Sequence, residues 1–147
     1  MKILVCVDGS QQSLKAAEEA AIIAGGCNAD EVSVIHVYEK SPHFPGRKAS
    51  FAAEEYEMFK RFEERGKEEI TNILTSTLEL FDKNIKVSTI YKEGHPAETI
   101  ARVAREGGYD LLVVGSRGLG GLKKLMLGSV SNALLQEAQS NVMVVKN

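Results

Sequence analysis

The residues best suited to chemistry lie between Leu111 and Ala133, in the stretch LLVVGSRGLGGLKKLMLGSVSNA. An apolar run, Leu111 to Val114, reads as a buried parallel strand and stops at Gly115. A glycine-rich loop follows with Gly118, Gly120 and Gly121, and then Gly128-Ser129-Val130-Ser131 opens a helix-periodic segment. Ser129 and Ser131 are both candidate N-caps of that helix. Strand, glycine loop and helix start form an arrangement suited to phosphate. The helix end offers free N–H groups and a partial positive charge, and glycine lets the backbone approach the anion closely. A surface turn with ordinary helix caps is the competing reading of the same residues.

Other chemistries find little support. No glycine is followed by Gly-Lys-Ser/Thr at the spacing of a P-loop, and the third glycine of a dinucleotide fingerprint starting at Gly118 would fall on Lys123. The three histidines and two cysteines are scattered and give no zinc spacing. His36 lies among apolar neighbours and reads as a core histidine, and His95 precedes Pro96 where it could cap a helix. Cys6 and Cys27 read as buried, reduced thiols. No nucleophile–histidine–acid order or carboxylate pair stands out.

Five apolar runs alternate with helical segments, and these must position the loop. Ile3–Val7 is the first strand; Leu14, Ala17, Ala20, Ala21 and Ala24 then give a small-residue helical face ended by Gly25-Gly26. Val32–Tyr38 is the second strand. Glu39–Ser50, with two prolines, reads as a mobile loop without regular structure. A long helix is expected from about Phe51 to Phe81, with Phe59, Phe62, Gly66, Ile70, Ile73, Thr77 and Leu80 on one face. Ile85–Tyr91 alternates as an edge strand does. Pro96 suits the first position of a third helix ended by Gly107-Gly108, and Val142–Val145 is the last strand. Such alternation implies βαβ units in an α/β fold with a parallel, doubly wound sheet.

The 147 residues suit a single domain spanning 1–147, large enough to bury about two-thirds of its unfolded surface. A chain 44% hydrophobic and 26% charged is ordinary for a globular protein. The net charge of −2, with acids and bases interspersed, leaves no basic stripe for nucleic acid. The start reaches Asp8 too soon for a signal peptide, and no apolar run approaches the roughly 20 residues needed to cross a bilayer. A cytoplasmic protein without membrane or nucleic-acid partners is expected.

The spacing Gly115-x2-Gly118-x9-Gly128-Ser129 resembles the ATP-binding signature of the universal stress protein family. Ile3 to Ser10, with its Asp8-Gly9-Ser10 turn, Val34–Val37 in the second strand, and Gly94-His95-Pro96-Ala97 are similar to that family as well. The resemblance implies a Rossmann-like open five-stranded parallel sheet of order 3-2-1-4-5, with helices on both faces. In such a sheet the ligand site lies beyond the carboxyl ends of strands one and four, where the strand order reverses. The turns Asp8-Gly9-Ser10 and Gly115-Ser116-Arg117-Gly118 would therefore converge.

The resemblance further implies ATP or a related adenine nucleotide, contacted by Asp8, Gly9, Ser10, Val37, Val114, Gly115, Ser116, Arg117, Gly118, Gly128, Ser129, Val130 and Ser131. Val37 would meet the adenine through its backbone, Val130 would offer an N–H, and the glycines, serines and Arg117 would surround ribose and phosphates. Asp8 beside a triphosphate calls for Mg²⁺ or Mn²⁺ held partly through water; the residue could equally cap the first helix. Lys123 and Lys124 read as surface charge. Strand five, apolar on both faces at a sheet edge, is expected to pair with the same strand of a second copy in a homodimer. The implied role is a stress-response module regulating an unknown protein partner. Slow ATP hydrolysis or self-phosphorylation on Ser129 or Ser131 is the alternative, although no general base with an orienting partner is evident.

Overall fold

The computed structural model describes residues 1–39, 53–118 and 127–146, with the side chains of 53–63 left aside. Its elements are β1 (Lys2–Cys6), α1 (Gln11–Gly26), β2 (Glu31–Tyr38), α2 (Ala53–Leu78), β3 (Val87–Glu93), α3 (Pro96–Gly107), β4 (Leu111–Gly115), α4 (Ser129–Glu137) and β5 (Asn141–Val145). The five strands form one sheet in the order β3-β2-β1-β4-β5, and every pairing is parallel. This is the Rossmann-like α/β arrangement expected.

Alternation along β1 explains the layers. Ile3, Val5 and Val7 face a core shared with Ala16, Ala17, Ala20 and Ala24 of α1 and Leu74 of α2. Leu4 and Cys6 face the opposite core, which holds Ile100 and Ala104 of α3 and Leu134 of α4. A strand buried on both faces must be apolar throughout, and each fully buried aliphatic side chain contributes about 1.5–3 kcal/mol.

In α1 the buried stripe is Ser13, Ala16, Ala17, Ala20 and Ala24. Leu14, expected on that face, is exposed: the stripe's spacing of three and four residues passes through Ser13 instead. Ser10 is the N-cap, its Oγ accepting from Ser13 N at 3.2 Å. The cap at the other end is Cys27, one residue beyond the expected glycine stop, and the left-handed conformation falls on Asn28 (φ 49°).

Helix α2 ends at Leu78, short of the expected Phe81; it buries Leu74 and Thr77 and half-buries Ile70 and Ile73, whereas Gly66, and Leu80 in the turn beyond the helix, are exposed. Phe59, Phe62, His43 and the expected loop beyond Glu39 lie outside the described residues or side chains. Strand β3 begins two residues later than expected. Ile85 N closes a turn on Asp82 O at 2.9 Å, and the Asp82 carboxylate accepts from Asn84 N at 2.9 Å, so these residues shape a turn before the ladder starts. Helix α3 starts at Pro96 and ends at Gly108, which takes the left-handed conformation (φ 64°) that glycine adopts without strain. His95 holds the N-cap position, but its side chain makes no capping bond.

Candidate functional site

β1 is the central strand, paired with β2 on one side and β4 on the other, and β3 and β5 form the edges. The connections leaving β1 and β4 run to opposite faces, since α1 packs on one core and α4 on the other. A crevice opens at that divergence, and it holds a cavity of about 520 Å³. Asp8, Val37, Val114, Gly115, Arg117, Gly118, Gly128, Ser129, Val130 and Ser131 all line it. Gly9, Ser10 and Ser116 do not. Gly9, at φ 84°, makes the turn out of β1, and Ser10 caps α1. Ser116 is buried, and its carbonyl accepts from Gly128 N at 2.7 Å and Ser131 Oγ at 3.1 Å. Ser116 thereby fixes the start of α4 beside the end of β4.

Gly115, Gly118 and Gly128, expected to admit phosphate, each have a neighbour within the protein, and Gly120 and Gly121 lie outside the described residues. A Cβ on Gly115 would stand 2.8 Å from the Gln12 carbonyl carbon, so this glycine lets α1 lie against β4. A Cβ on Gly118 would collide with Asp8 Oδ2, and one on Gly128 would stand 3.2 Å from Arg117 Cα. These positions bring Asp8, the end of β4 and the start of α4 close together.

Asp8 precedes the helix cap instead of providing it. Its Oδ1 accepts from Ser10 N at 3.0 Å, and its own N–H donates to Ser13 Oγ at 3.2 Å. Neither expected serine caps α4 either. Gly128 is the N-cap, without a side-chain bond, and Ser129 is the first helical residue. The Ser131 hydroxyl turns back onto the Gly128 carbonyl at 3.0 Å as well as onto Ser116. The first N–H groups of a helix have no partner within it, and this first turn lines the cavity, which makes the β4 side attractive to an anion. Half-buried Arg117 adds a positive charge on the same side.

Lining residues that were not among the expected nucleotide contacts come from the strand ends and the helices packed there. Cys6, Val7, Ile35 and Ile100 supply apolar surface; Ser13, His36, Glu39, His95 and Pro96 complete the wall. The signal for them was positional, since each lies at or just past the carboxyl end of a strand or on a helix packed there. His36 is buried as expected, with Nδ1 and Val7 O 2.8 Å apart; the carbonyl only accepts, so Nδ1 carries the hydrogen. Burial pushes the Cys6 thiol up from 9.0 to about 12, with Asp8 adding to the effect, so it is a poor nucleophile. Cys27, expected buried, is exposed at the end of α1. Among the described residues no group of three or more His, Cys, Asp or Glu could hold a metal. A cation at Asp8 would need further oxygens from ligand and water. Among the described residues no helix is long and apolar enough to cross a membrane. Lys123 and Lys124 lie outside the described residues.

The model of the universal stress protein family matches residues 1–146. The universal stress protein YxiE of Bacillus subtilis is 35% identical over 146 residues, covering 99% of this chain and 98% of that one. Among solved structures, protein MJ0577 of Methanocaldococcus jannaschii superposes with a TM-score of 0.77 at 27% identity, covering 99% of this chain and 95% of that one. A universal stress protein in complex with cAMP gives a TM-score of 0.71 at 25% identity, with 99% and 96% covered.

Proposed function

We propose that this chain, which belongs to the universal stress protein family, binds an adenine nucleotide in the β1–β4 crevice and acts as a nucleotide-responsive regulatory module in the stress response of the cytoplasm. One observation carries the reading: Asp8 after β1 and Gly115, Arg117 and Gly118 at the end of β4, distant in sequence, line one cavity of about 520 Å³ together with the first turn of α4. The cavity suits a nucleotide because it is apolar toward β2 and anion-attracting toward β4. The cAMP held by a structural neighbour supports the adenine class.

In this reading the ligand is ATP or a smaller adenine nucleotide. Gly115, Arg117, Gly118 and the Gly128–Ser131 turn face ribose and phosphates, and the backbone of Val37 meets the base. With a triphosphate, Asp8 would help to hold Mg²⁺ or Mn²⁺, which would offset the charge of the phosphates. Strand β5 is an edge strand whose Met143 packs on one core and Val142 and Val144 on the other. The same strand of a second copy covers that edge in a homodimer, and the nucleotide biases the dimer toward a protein partner.

The test is identification, by chromatography and mass, of any nucleotide released on denaturing freshly purified protein, paired with thermal denaturation in added ATP, AMP and cAMP. Adenine nucleotide near one per chain supports the reading, and ADP recovered after loading with ATP points to slow hydrolysis. A ligand at 100 times its Kd stabilises by about 2.7 kcal/mol, or about 5–10 °C in a domain of this size. No release, and no shift with any of the three at millimolar concentration, overturns it.

A further inference from the structure

We infer that Glu39 is the residue that selects the base, its carboxylate accepting a hydrogen bond from the amino group at position 6 of a purine. The inference rests on the nucleotide reading above and adds to it a side chain that discriminates.

The cavity is polarised along the sheet. Arg117 and the first turn of α4 gather on the β4 side. β2 and β4 flank β1 on opposite sides, about 10 Å apart at two strand spacings. A nucleotide with its phosphate at the anion-attracting end therefore directs its base toward β2. There the wall is apolar, made by Ile35, Val37, Ile100 and Pro96, which suits the two faces of a ring. The edge of the ring needs polar partners.

Two polar side chains stand at that end, Glu39 just past β2 and His95 just past β3, and both line the cavity. Three other polar side chains along the wall are engaged within the protein. Ser13 Oγ donates to Ser10 O and accepts from Asp8 N, His36 Nδ1 is held by Val7 O, and Ser131 Oγ lies on two carbonyls. Glu39 Oε1 is 3.9 Å from His95 Nε2, too long for a hydrogen bond, and the two side chains are 60% and 71% exposed. Their hydrogen-bonding capacity is thus available to a ligand. A neutral imidazole presents a donor at one nitrogen and an acceptor at the other, so His95 discriminates little. An ionised carboxylate only accepts. It is satisfied by the amine of adenine and repelled by the carbonyl oxygen that hypoxanthine carries at the same place.

The experiment is calorimetric titration of the full chain with AMP and with IMP, which differ at that position, for the wild type, Glu39→Gln and Glu39→Ala. The wild type is expected to bind AMP about tenfold more tightly than IMP, the size of one charge-assisted hydrogen bond gained or lost. An amide can turn either oxygen or nitrogen to the base, so Glu39→Gln brings the ratio to within about threefold of one, chiefly by tighter IMP binding. Glu39→Ala narrows the ratio by weakening AMP. Glu39 is exposed, and unchanged melting temperatures of the unliganded variants would show that the fold is intact. A wild type that binds both nucleotides equally, or a ratio that stays put in both variants, overturns the inference while nucleotide binding stands. A wild type that binds neither overturns both.

Discussion

The two ends of the sheet treat polar groups in opposite ways. At the amino end they are spent on one another: Tyr109 Oη donates to Ser33 Oγ at 2.6 Å, Ser33 and Ser88 hydroxyls lie 2.9 Å apart, and Ser140 Oγ donates to Tyr109 O at 2.6 Å. Lys2 adds a bond from Nζ to Gly107 O at 2.6 Å, with its charge 4.9 Å from the centre of the Tyr109 ring. At the carboxyl end, glycines and a helix start leave open a cavity whose wall carries Arg117, Glu39 and His95. One end closes the fold and the other holds space for a ligand, so substitutions at the two ends should separate stability from binding.

The largest effect is expected at the amino end. Tyr109 is buried and joins the second core to the Ser33–Ser88 pair. Tyr109→Ala should destabilise by about 3–5 kcal/mol in urea denaturation, the range for emptying a buried aromatic site. The folded variant should keep its nucleotide affinity. A large loss of affinity with little loss of stability would show that the two ends are not independent.

Next comes an alkaline effect from the carboxyl end. The Cys6 thiolate forms more readily in the unfolded chain, because burial holds the folded thiol near 12 against an ordinary 9.0. Its contribution to stability is therefore complete below pH 9.0 and is lost as pH rises toward 12. At about 1.4 kcal/mol per unit, Cys6 accounts for a loss on the order of 2–3 kcal/mol between pH 8 and pH 11. Urea denaturation across that range should show a shallower decline in Cys6→Ala, by about this amount. Parallel declines would mean that the thiol is not sealed from water.

The fold was legible in the sequence because buried parallel strands are uninterrupted apolar runs, as Leu111–Val114 and Ile3–Val7 are. Boundaries set by side-chain turns were not. The Asp82 carboxylate shortens the start of β3, and nothing in the alternation of Ile85, Val87 and Thr89 announces it. The glycines of the site were legible as positions of close approach, but what approaches within the protein was not. Gly115 meets α1 and Gly118 meets Asp8, contacts that exist only once the strands are in order. Ser129 and Ser131 look alike as caps in sequence; packing against Ser116 O decides that Ser131 turns inward. Nothing in the sequence marked Ile35 and Ile100 as cavity wall, since a buried aliphatic residue near a strand's end serves core and cavity together.

Gly118→Ala probes the carboxyl end more gently than any core change. The added methyl would meet the end of a flexible side chain, Asp8 Oδ2, so the carboxylate would move while the backbone stays. Affinity for ATP with Mg²⁺ should fall about tenfold if Asp8 helps to hold the cation, the size of one charged contact displaced. Stability should change by less than about 0.5 kcal/mol, as at other surface positions. Calorimetric titration and urea denaturation of the same sample check both halves. Unchanged affinity would mean that the position of Asp8 is immaterial to the ligand.

The smallest effect sharpens what holds the amino end. Lys86 Nζ and Glu31 Oε2 form an ion pair of 3.3 Å on its rim, with Lys86 73% exposed and Glu31 24% exposed. Water screens such a pair, and fixing two long side chains costs entropy. Lys86→Ala should therefore shift stability by less than about 0.5 kcal/mol, with little dependence on salt. The Tyr109 hydroxyl, by contrast, has no water to replace Ser33, because both residues are buried. If Lys86→Ala costs as much as Tyr109→Ala, the amino end is held by its rim charges, and its buried hydroxyls do not provide the closure assigned to them.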